Sequence, residues 1–231
     1  MASMAKMYGT AVRDEIKLFT AWPIGTNISL GDVGFLTRHG KLFERRTNLA
    51  NFDTTFGVKK GTTTTDFDIT LARDFETRFK AAGNAPLAGS SLLTTDVGVA
   101  IGYGEGSSVV VRAHTVESSI DDLQKLEADL IRVSTDAGSR WHSNFVVVTT
   151  VYESTGTTII LSSGKKTNLD IKARADVAIP FDLADVNVGL AAASGSSKFI
   201  SALARTNFVP FFQAHHIAGR YWGPLRLELY G

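Results

Sequence analysis

Thr167-Asn-Leu-Asp-Ile-Lys-Ala-Arg-Ala-Asp-Val-Ala-Ile179 is the most regular stretch of the chain. Leu169, Ile171, Ala173, Ala175, Val177 and Ile179 alternate with Asn168, Asp170, Lys172, Arg174 and Asp176. A period of two is that of a β-strand, and this one reads as a two-faced ribbon. Upstream, Thr157-Thr-Ile-Ile-Leu-Ser-Ser163 has strand character, and Gly164-Lys-Lys166 between the two reads as a turn, so 157–179 is expected to be a long hairpin. A second hairpin is expected over 96–114, where Val97, Val99 and Ile101 precede Gly104-Glu-Gly106 and Val109 and Val111 follow it.

Moving outward, Phe145-Val-Val-Val-Thr-Thr-Val-Tyr152 is apolar at both parities and predicts a central, buried strand. Thr62 to Thr65 are β-branched, and Asp66-Phe-Asp-Ile-Thr-Leu71 alternates, predicting a strand through 62–71. Asn27 to Leu36 and Lys41 to Arg46 read as a strand and its return. Helices are expected at four places. Tyr8, Val12, Ile16 and Phe19 form a stripe over 5–19, and Phe75 and Phe79 suggest a helical turn over 74–79. Ser119-Ile-Asp-Asp122 matches a capping pattern ahead of Leu123, Leu126 and Leu130, and Phe199, Ile200 and Leu203 suggest a short helix over 196–205. The fold class is α+β: a twisted, mostly antiparallel β-sheet with long hairpins, decorated by a few short helices. One domain over 1–231 is expected, with the aromatic segment 206–231 as a candidate C-terminal latch over the apolar face.

Composition narrows the function. The 231 residues are 44% hydrophobic and 20% charged, the balance of a packed globular protein. The net charge of +1 supplies no broad field for a phosphate backbone, so no nucleic-acid partner is expected. Cysteine is absent, which excludes disulfides, thiolate metal sites and cysteine nucleophiles. No signal peptide opens the sequence and no apolar run approaches the ~18 residues of a spanning helix, so a cytoplasmic location is expected.

Motifs with chemistry are few. Gly102-Tyr-Gly-Glu-Gly106 resembles a phosphate cradle, but Val109-Val-Val111 follows it rather than a helix N-terminus. The five histidines, His39, His114, His142, His215 and His216, show no metal-ligand spacing. No G-x-S-x-G elbow anchors a catalytic triad, although a dispersed triad around His114 or His142 is a third, weaker alternative. Neither cofactor, metal nor enzymatic activity is expected. The ribbons themselves are the functional candidate, because a membrane-crossing strand needs ~9–11 residues with one apolar face in a closed barrel. In that reading Val97, Val99, Ile101, Val109, Val111, Leu169, Ile171, Ala173, Ala175, Val177 and Ile179 face lipid, while Lys165, Lys166, Lys172 and Arg174 meet a lumen or headgroups. One chain has too few strands to close a large barrel, so many copies would each donate hairpins.

Trp22-Pro-Ile-Gly-Thr-Asn-Ile-Ser-Leu-Gly-Asp-Val-Gly34, Gly40-Lys-Leu-Phe43 and Asn48-Leu49 resemble the opening of small prokaryotic and fungal gasdermin-like proteins. Phe145 to Glu153 and Thr158 to Ser163 are similar to their central strand and later hairpin. The resemblance implies a cell-death or defence effector, cytoplasmic until it associates with membrane lipid, whose sheet opens two hairpins per subunit into a homo-oligomeric pore. It also implies an activating protease that removes a C-terminal restraint. Many bacterial members carry an acylated cysteine near the start, which this chain lacks, and no cleavage linker precedes 206–231. The alternative is a non-catalytic, β-rich binding or assembly protein that forms a homo-oligomer through its sheet.

Overall fold

The computed structural model describes residues 4–37, 42–71, 76–79, 99–103, 106–164, 167–172, 191–192, 200–205, 208–219 and 224–230. In chain order they form α1 (Met4–Ile16), β1 (Thr20–Ala21), β2 (Asp32–Leu36), β3 (Leu42–Asn48), a 3-10 turn (Leu49–Phe52), β4 (Val58–Leu71), β5 (Glu76–Phe79), β6 (Val99–Tyr103) and β7 (Gly106–Ile120). There follow α2 (Leu123–Thr135), β8 (Val146–Gly164), β9 (Thr167–Lys172), β10 (Ala191–Ala192), β11 (Ile200–Arg205), β12 (Phe211–Ala218) and β13 (Arg226–Leu229). The class is α+β, and every strand pairing is antiparallel except that of β1 with β3.

The organising element is β8, a 19-residue strand. One of its edges takes β2 at 146–147 and then β7 from 150 onward, while the other takes β12 over 146–152 and then β11 over 157–162. Two sequence segments expected to be separate strands, 145–152 and 157–163, are therefore one. Its start is buried on both sides, as the absence of alternation implied. Val146 and Val148 pack with Phe19, Phe43 and Phe212, whereas Val147 packs with Phe145, Leu126 and Leu130 beneath α2. A third cluster places Tyr8, Ala11 and Val12 of α1 on the sheet.

Helix ends follow local chemistry. α1 stops at Ile16 because Lys17 turns left-handed, with φ of 59°. Arg13 donates to the Lys17 carbonyl at 2.6 Å, and Phe19 leaves the stripe to bridge Phe212. α2 is capped by Asp122, whose carboxylate accepts the Lys125 N–H at 2.8 Å. The capping pattern thus marked the right place one turn too early: Ser119 and Ile120 end β7, opposite Lys59 and Val58.

Two expected helical segments are strands. Residues 76–79 form β5 on β6, and 200–205 form β11 on β8. Apolar residues at i and i+4 also share one face of a strand, so the Phe75 and Phe79 spacing could not discriminate between the two periods. The expected return strand over 41–46 is present as β3, antiparallel to β2 with a bulge between Val33 and Gly34. Gly34 is required there, because a Cβ would run into the Glu44 carbonyl oxygen.

The two expected hairpins are not formed as drawn. β6 does not fold back on β7, nor β8 on β9. Instead β6 pairs with β5 and β9, and β7 pairs with β4 and β8. A glycine permits a reversal without imposing one, and strand partners on both sides hold these segments in line. Within the segment considered as a latch, β12 is hydrogen-bonded along β8, with Phe211, Phe212 and Ala214 at 0% exposure.

Candidate functional site

The re-paired strands form two ladders, β6 with β9 in a four-stranded sheet and β7 with β8 in a nine-stranded one. Tyr103 faces Thr167, and three residues on Gly106 faces Gly164, three residues back, so the two keep a single register on both sides of 104–105 and 165–166. The same register holds from Val99 opposite Ile171 to Tyr103 opposite Thr167, and from Gly106 opposite Gly164 to His114 opposite Gly156. The four-stranded order β5-β6-β9-β10 matches β4-β7-β8-β11 strand for strand. The segments joining the outer strands to the inner ones, 80–98 and 173–190, lie outside the described residues.

Alternation sorts these ladders into two kinds of position. Ile69, Val109, Val111, Ala113, Ile159 and Leu161 are buried together, and α1 covers them with Tyr8, Ala11 and Val12. Val109 faces Leu161 and Val111 faces Ile159 in the ladder. Val99 opposite Ile171 and Ile101 opposite Leu169 continue the same odd-numbered positions. At the intervening positions Asp66 meets His114 at 2.5 Å and Asp68 meets Arg112 at 3.4 Å. Thr70 donates its hydroxyl to Asp68 at 3.1 Å. An apolar face under a helix thus backs onto a charged one.

Six of the named apolar residues, Val99, Ile101, Val109, Val111, Leu169 and Ile171, therefore lie in the two ladders at matching positions. Val109 and Val111 are in the core beneath α1 in this structure, at 3% and 0% exposure. Val97, Ala173, Ala175, Val177 and Ile179 lie outside the described residues, as do Lys165, Lys166 and Arg174. The expected position of Lys165 and Lys166 at a hairpin tip thus falls on residues that are not described, between β8 and β9. Lys172 ends β9 opposite Ala191, on the parity opposite to Ile171. Sequence reasoning missed α1 as the cover and β4 and β11 as flanking strands. Only the alternation of Phe67, Ile69 and Leu71 pointed to β4, and it carried no information about its partner.

Burial governs the titrating groups around the cover. The Tyr8 phenol is held well above its ordinary range by burial, against a smaller opposing effect of its hydrogen bond with Thr20. Tyr152, in the same cluster, is raised by burial and then by the Glu117 carboxylate. Neither ionises near neutral pH, so the packing of α1 on the ribbon does not depend on their charge. His114 is engaged with Asp66, and His142 stacks against Phe35 at 5.1 Å while its Nδ1 accepts the Asn144 N–H. Among the described residues no group of three or more His, Asp or Glu side chains is placed to hold a metal ion.

The sheet treats its edges unequally. At β13, the Glu127 carboxylate of α2 accepts the Leu227 N–H at 2.8 Å, occupying an edge donor. At β1 the edge is two residues long. β4, by contrast, presents 14 residues and pairs only with β7, while β11 pairs only with β8 among the described residues. No helix among the described residues is long and apolar enough to cross a membrane.

Comparison with protein-family models and with curated protein sequences gives no match. Among solved structures, the chain is similar to the cryo-EM structure of the gasdermin A3 membrane pore, with 11% identity, a TM-score of 0.40, and coverage of 99% of this chain and 95% of that one.

Proposed function

We propose that this protein is a non-enzymatic pore former whose ribbon enters a lipid bilayer as part of a ring of identical copies. The observation that carries the reading is the shared register of two ladders, 99–103 with 167–171 and 106–114 with 156–164, with β4 and β11 each taking a single partner among the described residues. The sequence stretches 99–108 and 162–171 are each 10 residues long, within the ~9–11 that a tilted strand needs to cross a bilayer. An open edge cannot stay unpaired in hydrocarbon, because each lone N–H and C=O would cost several kcal/mol. Pairing β4 of one copy with β11 of the next satisfies both edges, and repetition closes a barrel.

In this reading Val97, Val99, Ile101, Leu169, Ile171, Ala173, Ala175, Val177 and Ile179 meet lipid, and Lys172 and Arg174 face water. Val109 and Val111 would follow only if α1 lifts. Uncovering Ile69, Val109, Val111, Ile159 and Leu161 in water costs on the order of 10 kcal/mol, as much as a domain's whole stability. The insertion boundary is therefore set where α1 ends its cover.

The test is dye release from vesicles of defined composition, using the full chain, with Ile101→Asp and Ile171→Asp as variants. Release by the native chain and its loss in both folded variants is the expected outcome. A defined oligomer in solution without any release from vesicles would instead favour a β-rich assembly protein.

A further inference from the structure

A second feature lies at the opposite end of β8. A cleft of about 730 Å³ opens between β3, the 3-10 turn, the end of α2 and the loop that follows it. Arg46, Arg132 and Arg140 reach it from three different elements, and Asp53, Asp136 and Phe52 complete its character. Its volume falls within the ~300–1,000 Å³ of small-molecule sites.

The guanidiniums are not consumed inside the cleft. Arg46 contacts Glu44 at 3.2 Å and Arg132 contacts Asp129 at 3.9 Å, both outside the lining, while Arg140 makes no ion pair among the described residues. Among the described residues no arginine is within ion-pair distance of Asp53 or Asp136, and Asp136 is occupied in accepting the Gly138 N–H at 3.0 Å. Three guanidiniums carried on separate elements suit the several oxygens of a dianion better than the two of one carboxylate.

We infer that the Arg46, Arg132 and Arg140 cleft binds a small phosphate-bearing solute. The source follows from position. Phe145 lines the cleft and immediately precedes β8, whereas the ribbon beyond α1 starts past Leu161, about 50 Å of strand away at ~3.3 Å per residue. A ribbon inserted at its far end leaves this cleft in solution, out of reach of that bilayer's headgroups. The choice of a dissolved phosphate over a headgroup rests on the pore reading; the presence of a phosphate site does not.

Calorimetric titration of the full chain with pyrophosphate tests the site, with vesicles containing phosphatidic acid as the lipid arm. Saturable binding near one per chain is expected, weakened by about tenfold or more in Arg132→Gln with Arg140→Gln. Asp53→Asn, which removes a repelling charge, should tighten binding by about two- to fivefold, and Arg226→Gln should leave it unchanged. Unchanged affinity in the double variant, whose fold circular dichroism verifies, overturns the site. So does a titration with no saturation at millimolar pyrophosphate when vesicle binding is also unchanged in that variant. Loss of vesicle binding in that variant, with pyrophosphate ignored by the native chain, would assign the cleft to headgroups and overturn the dissolved ligand, while leaving the vesicle-release result independent.

Discussion

Asp32 is buried at 0% exposure where β2 begins, and its carboxylate is fully used: it accepts the Ser29 N–H at 2.9 Å and the Asn48 amide at 3.1 Å, and pairs with Arg45 at 3.2 Å. Asp32→Ala leaves the Ser29 N–H and the Asn48 amide without their acceptor, while half-exposed Arg45 turns to water, and should cost about 2 kcal/mol, read as a lowered urea midpoint. A loss below about 1 kcal/mol would mean that water replaces the carboxylate there. His215 behaves differently. Burial, then the neighbouring His216, holds its imidazole below the ordinary value of 6.5, and its Nδ1 lies 2.7 Å from the Thr149 hydroxyl. As pH falls the unfolded chain takes up this proton first, so the contribution of His215 is complete above about 6.5 and is lost as pH drops toward the folded value. The native melting temperature should therefore fall from pH 6.5 to about 5 more steeply than that of His215→Gln. Parallel profiles would remove His215 as a source of the slope. Neither role was legible in the sequence. Asp32 is one carboxylate among many until Asn48 and Arg45 are brought to it by the β2 and β3 pairing.

Strands were legible where the period of two was sustained, at 62–71, 107–114 and 157–163, because side-chain alternation is a local property. Their partners were not. The tripeptides at 104–106 and 164–166 carry the glycines of a turn, yet Gly106 and Gly164 face each other within the ladder, and no local rule distinguishes a glycine that turns from one that lies in a strand. Partner choice depends on registers set by residues far apart in sequence. Cross-linking checks it directly in a chain without cysteine. Ser107 faces Ser163 and Ala100 faces Asp170, on either side of 104–105. Paired residues in an antiparallel ladder stand ~4.5–5.5 Å apart at Cα, within disulfide reach. Ser107→Cys with Ser163→Cys, and Ala100→Cys with Asp170→Cys, should each close an intramolecular disulfide under mild oxidation. If neither closes, the strands fold back at the glycines after all.

For the molecule as a whole, the question is why the outer edges of β4 and β11 have no partner strand among the described residues. Natural sheets protect edges with charge, brevity or a covering element, and this one does so at β1 and β13. Along β4 the residues from Val58 to Thr64 are exposed, Thr62 to Thr65 lend high β-propensity, and Leu71 remains 40% exposed. Such an edge invites another strand, and a closed ring of copies is the arrangement that removes every edge at once. Blocking that edge separates assembly from folding. Thr64 and Thr70 are exposed and outside every core cluster, so Thr64→Lys with Thr70→Lys should shift the stability of the isolated chain by no more than about 0.5 kcal/mol each. Lysines along an edge strand are a natural device against edge-to-edge pairing, so the same charges oppose a neighbour's approach. The double variant should melt like the native chain, yet lose both its oligomers on vesicles and the release of dye. Native-level release from this variant would show that β4 is not the joining edge, and with it the ring built from β4 and β11 would fall, even if the ribbon itself still entered the bilayer.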